Sequence, residues 1–154
     1  MGADAKSNPN TTINVAASVA SNCLMSSASA GLNFGSYDPT DTSPKITTTT
    51  FKVRCTKNAP YTIGLNSGIG AGATELARKM SLSGQASMDY AVYSDAARQI
   101  NWGSTEPLGA ATGTGNGLAM DNEMTITVYG RIRAEQTDVG VGNYSDTLTA
   151  TVSY

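Results

Sequence analysis

The chain contains no histidine, and only 14% of its 154 residues are charged. Without histidine it lacks the commonest general base and metal ligand. A Ser-His-Asp triad is impossible, and two cysteines alone cannot make a usual structural zinc site. No cofactor and no enzymatic activity are expected. Lys and Arg number 10 against 12 Asp and Glu, a net charge of −2. With no basic surplus to hold phosphates, nucleic acid is not an expected partner. No apolar run approaches the roughly 20 residues that a membrane helix needs, so membrane insertion is not expected. Met1-Gly2-Ala3-Asp4-Ala5-Lys6 lacks the apolar core of a secretory signal. It reads as an expression start before a mature secreted sequence.

What remains is an apolar fraction of 40%, 16 glycines and many small polar residues. This mix is too apolar for charge-driven disorder, and the length suits one domain with a useful core. Short strands separated by turns follow from it. Alternation is clearest at the end of the chain. Tyr144, Leu148, Ala150, Val152 and Tyr154 fall on one face, and Ser145, Thr147, Thr149, Thr151 and Ser153 on the other. That is the two-residue period of a half-buried strand. The apolar row runs to the last residue, so the expectation is an open flank that no later strand covers. A second alternating segment, with Ile13, Val15, Ala17 and Val19 on one side, lies within residues 11–22.

Between them the same period predicts strands at 46–56, with Phe51, Val53 and Cys55 inward, and at Tyr61, Ile63 and Leu65. It also predicts strands at 88–93, and at 122–132 with Met124, Ile126 and Val128 inward. Leu32-Asn33-Phe34 suits a short strand, residues 75–82 a strand and loop, and the Gly-rich stretch 103–117 a mobile loop. There is no internal repeat and no sustained helical period. The fold class expected is an all-β sandwich.

Several features carry a functional reading beside a blander one. Gly68–Gly72 and Gly113–Gly117 lack the Lys and following helix of a phosphate loop and read as turns. Asp121 and Glu123 have the residue types of a glycosidase couple but read as solvated acids. Asn10-Thr11-Thr12 and Asn143-Tyr144-Ser145 match a glycosylation pattern short enough to arise by chance. Trp102, the sole tryptophan, could stack on a sugar in a carbohydrate-binding or adhesin module, but suits a core or rim position better. Cys23 and Cys55 are an even pair in a Thr-rich β chain, which favours a disulfide; two small buried side chains are the other reading.

Taken together, several segments resemble the spore coat protein U family, whose wider group includes the archaic chaperone–usher pilins. They are Leu32-Asn33-Phe34-Gly35-Ser36-Tyr37-Asp38, Val53-Arg54-Cys55-Thr56-Lys57, Tyr61-Thr62-Ile63-Gly64-Leu65 and Tyr90-Ala91-Val92-Tyr93-Ser94-Asp95. Trp102-Gly103, Val128-Tyr129-Gly130-Arg131-Ile132 and Gly142-Asn143-Tyr144-Ser145-Asp146-Thr147 complete the series. The resemblance spans about residues 11–154.

It implies an immunoglobulin-like sandwich lacking its seventh strand, and a disulfide between Cys23 and Cys55. It also implies secretion through a periplasmic chaperone and an outer-membrane usher to a cell or spore surface. Residues 1–22 would be a leader and donor strand, with Ile13, Val15, Ala17 and Val19 entering a neighbouring subunit. Residues 23–154 would form the incomplete domain, its acceptor groove and terminal strand carrying Leu148, Ala150, Val152, Tyr154, Ile126 and Val128. The expected partners are identical or homologous subunits, and the expected product is a pilus or protective coat. The other reading of residues 13–19 is the first strand of their own sandwich.

Overall fold

The computed structural model describes all residues except 1, 3, 5, 27–29, 84–85 and 105–108, and of Ala86 only the backbone. The chain folds into β1 (Cys23–Met25), β2 (Lys45–Cys55), β3 (Pro60–Leu65), β4 (Arg78–Leu82), β5 (Ala86–Tyr93), β6 (Ala111–Thr114), β7 (Met124–Ile132) and β8 (Ala150–Ser153). One 3-10 turn, Met120–Asn122, precedes β7. The strands make a larger sheet in the order β1-β2-β7-β5-β4 and a smaller one in the order β6-β3-β8. All their pairings are antiparallel. This is the all-β sandwich expected from the alternation, with the immunoglobulin-like character that the resemblance implied.

The core follows the period of the sequence. Phe51, Val53 and Cys55 of β2 are buried, as are Tyr61, Ile63 and Leu65 of β3 and Tyr90 and Val92 of β5. Between them lies Trp102, fully buried, its Nε1 donating to the Ile63 carbonyl at 2.8 Å and its amide to the Val92 carbonyl at 2.9 Å. The tryptophan thus joins the two sheets, and its polar atom is satisfied where burial would otherwise be costly. The sugar-stacking role for Trp102 is corrected here: its ring is inside, with no face for a ligand.

Arg78 is also fully buried. Its guanidinium donates to the carbonyls of Leu65, Asn66, Glu75 and Trp102. Burial lowers its pKa, and the planar fork of donors is what lets one cation satisfy carbonyls from three segments.

Cys23 and Cys55 face each other across the β1–β2 pairing and are joined by a disulfide. Closing a loop of this size stabilises the fold by roughly 3–4 kcal/mol in the chain-entropy account.

Four local expectations change. The stretch 103–117 contains β6, paired with β3 from Pro60↔Thr114 to Ile63↔Ala111; residues 105–108 of that stretch lie outside the described residues. Leu32–Phe34 is not a strand. The terminal strand is shorter than residues 144–154, because residues 145–149 are held by side chains and an isolated bridge instead of a ladder. Residues 11–22 form no strand either. Nothing in the described structure pairs with them along residues 11–21, so they are not the first strand of their own sandwich.

Candidate functional site: an open cleft and an unpaired leader

Among the described residues β8 pairs with β3 alone, from Thr62↔Ser153 to Leu65↔Ala150, and stands at the edge of its sheet. Beside it lies a cleft of about 1090 Å³. One wall is the segment 30–37, the other residues 139–150; Phe51, Leu65, Met88, Tyr90, Val128 and Ile132 form the floor. The floor residues are buried, whereas the wall residues Leu32, Tyr144, Leu148 and Ala150 are half-buried. An apolar trough beside an unpaired strand edge exposes both backbone hydrogen-bonding groups and hydrocarbon.

Each wall has a local cause. Segment 30–37 lies close over β7 because Gly130 has no side chain: a Cβ there would sit 2.7 Å from Leu32 Cδ2 and 2.8 Å from Phe34 Cζ. Phe34 is buried against Tyr90, ring edge to face at 6.3 Å. The far end of this wall is pinned by Tyr37, whose hydroxyl donates to the Arg133 carbonyl at 2.8 Å and accepts from the Gln136 amide at 3.0 Å.

On the opposite wall, Ser145 bridges to Ser81 of β4 through two backbone bonds of 2.8 and 3.1 Å. The Asp146 carboxylate accepts from the Ile69 and Thr147 amides, both at 2.8 Å, and from the Tyr90 hydroxyl. Burial, then that hydrogen bond, pushes the Tyr90 pKa up. Thr149 donates its amide to Asn66 Oδ1 at 2.9 Å and accepts from the Asn66 amide at 3.1 Å. Gly68, at φ +85°, completes the fit: a Cβ would collide with the Asp146 carboxylate.

Of the acceptor residues expected from sequence, Leu148, Ala150 and Val128 line the cleft. Ile126 lies outside that lining, while Val152 lies in the terminal strand β8 and Tyr154 directly follows it. Ile126 and Val152 rest against the core, the former opposite Phe51 and the latter opposite Ile63. Tyr154 is 58% exposed and donates its hydroxyl to Asn22 Oδ1 at 3.3 Å. There the end of β8 meets the residue before β1. Leu32, Phe34, Met88, Tyr90 and Tyr144 line it as well. Tyr144 stood on the apolar row of the last segment, and Phe34 and Tyr90 within the resembling segments; these were the available signals.

The leader presents the complementary feature. Ile13, Val15 and Val19 are 79%, 90% and 85% exposed, and Ala17 is exposed as well. The leader therefore leaves its own cleft open.

The Spore Coat Protein U domain model matches residues 10–151. Protein U of Myxococcus xanthus is 32% identical over 154 residues, an alignment that covers 92% of this chain and 83% of that protein. Among solved structures, a similar chain occurs in the CsuC–CsuE chaperone–tip adhesion subunit pre-assembly complex from archaic chaperone–usher Csu pili of Acinetobacter baumannii. The TM-score is 0.60 at 19% identity, with 88% of this chain and 40% of that one covered. The present chain thus spans two fifths of the solved chain, and the likeness is one of fold.

Proposed function

Because the chain belongs to the Spore Coat Protein U domain family, we propose that it is a secreted structural subunit that polymerises by donor-strand complementation into a surface pilus or protective coat. Residues 13–19 of one copy enter the cleft of the next, with Ile13, Val15, Ala17 and Val19 facing its floor. Backbone pairing to β8 supplies affinity, and alternate side chains fix register. Each large aliphatic side chain buried contributes about 1.5–3 kcal/mol before the cost of ordering the segment. Contacts that must break together make the joint kinetically durable. The route this reading implies is through the periplasm, with a chaperone occupying the cleft until an outer-membrane usher exchanges it for a subunit.

The observation that carries the reading is the coexistence of an open apolar cleft and an exposed apolar row of strand period in one chain. Val15→Asp with Val19→Asp is expected to abolish assembly on size-exclusion chromatography while the body keeps its melting temperature. Polymer unchanged in that double variant defeats the donor assignment.

A further inference from the structure

On the outer face of the larger sheet, we infer a binding site for one carboxylated sugar unit of an acidic polysaccharide. Arg131 takes the carboxylate, and a floor of alanine side chains takes the ring.

The strand period builds this face. On β7 it turns Val128 and Ile132 into the core and Arg131 outward, with Arg133 on the same side just past the strand. On β5 Tyr90 and Val92 are in the core, so Asp89 and Ala91 face outward. Ala91 pairs with Arg131, and Asp89 with Lys79 of β4. Arg78 is buried, so Ala77 before it falls on the outer side. Ala77 and Ala91 carry only a methyl group, and the face dips between Arg131 and the exposed Leu76. The resulting hollow measures about 280 Å³, and Asp89, Tyr93 and Arg133 also line it. That is the small end of ligand sites, suited to one ring.

Charge in the hollow is unbalanced. The Asp89 carboxylate is already shared, meeting Lys79 Nζ at 2.7 Å and Arg133 at 3.7 Å. The Arg131 guanidinium lies 5.4 Å from the centre of the Tyr93 ring. Among the described residues no carboxylate forms an ion pair with it. Glu75, next to Leu76, acts instead on the buried Arg78. Lys79, Arg131 and Arg133 against Asp89 leave the hollow positive on a chain of net charge −2.

These features select the ligand. An unpaired guanidinium fork matches a carboxylate. The methyl floor and Leu76 suit the C–H face of a sugar ring, which an inorganic anion does not have. Asp89 accepts hydroxyl hydrogens but repels a doubly charged phosphate. The dense charge of nucleic acid is repelled by a chain that is acidic overall.

Isothermal titration calorimetry of the full chain with trigalacturonate is expected to show binding that its methyl ester lacks. Arg131→Gln is expected to weaken it at least about tenfold. Arg131→Lys should recover only part, because an ammonium lacks the fork. Ala91→Leu should abolish binding by filling the floor; if it also lowers the melting temperature, Arg131→Gln decides. Lys57→Gln, at an exposed cation outside the hollow, should bind like the wild type. Absence of binding, equal binding of the ester, wild-type affinity in Arg131→Gln, or an equal loss in Lys57→Gln overturns the site. Inorganic phosphate or duplex DNA bound more tightly than trigalacturonate overturns the sugar-acid assignment. The inference does not rest on assembly: Val15→Asp/Val19→Asp is expected to bind trigalacturonate unchanged, and loss of binding there overturns the placement on the outer face.

Discussion

Residues 13–19 and residues 148–154 carry the same alternation of apolar and polar side chains, yet they end in opposite environments. Val15 is 90% exposed, whereas Val152 is half-buried against the core. The difference lies in what is beside each segment. β8 has β3 along one edge and the larger sheet beneath it; the leader has neither. Period identifies a strand and its inner face, but burial requires a cover, and for one of these segments the chain does not supply it.

The largest expected effect comes from placing the same substitution in both segments. Val152→Asp buries a carboxylate opposite Ile63 and is expected to destabilise the body by about 3 kcal/mol, read from urea unfolding of the monomer. Val15→Asp should leave that unfolding curve unmoved. Equal effects at the two sites would break the contrast.

A smaller effect is expected where the last segment is held by side chains. Asp146→Ala leaves the Tyr90 hydroxyl and the Ile69 amide without their partner, a loss of about 2 kcal/mol. Amide exchange should quicken at Ile69 and Thr147 and remain slow in β3.

The smallest effect depends on pH. Tyr90 has its pKa raised in the folded state, first by burial and then by Asp146, while an unfolded tyrosine ionises near about 10. Its contribution is complete below about pH 10 and declines as pH rises further, because the unfolded chain loses the proton that the folded one keeps. Tyr90→Phe is therefore expected to melt about 1 kcal/mol less stably at neutral pH and to lose less stability between about pH 10 and 11. Parallel melting curves of wild type and variant across that range would refute the assignment.

Much of the fold was legible because its strands are half-covered. The rows through Phe51, Val53 and Cys55, and through Tyr61, Ile63 and Leu65, could be read directly, since one face of each strand meets the core. What escaped reading were residues whose role depends on distant neighbours. Gly113 and Gly115 suggested a loose loop. Instead, a Cβ on the first would strike the Tyr61 ring and one on the second the carbonyls of Cys55 and Thr56; both permit close approach in and beside β6. Arg78 looks like any surface charge until four carbonyls converge on it.

Of the candidate site, the apolar face of the last segment was visible and the extent of the trough was not. The wall formed by residues 30–37 depends on Gly130, which meets Leu32 and Phe34, a contact distant in sequence that no local period encodes.

The position of the disulfide has a mechanical consequence. Tension pulling on residue 22 enters the body at Cys23, and β1, three residues long, would by itself peel away bond by bond. The Cys23–Cys55 bridge diverts that load into β2, which is laddered to β7 from Lys45 to Val53. Force along the strand then strains those backbone bonds together in shear, and rupture under load is governed by the barrier to unfolding. A thread of such units would yield within its folded bodies only after the β2–β7 ladder failed as a whole.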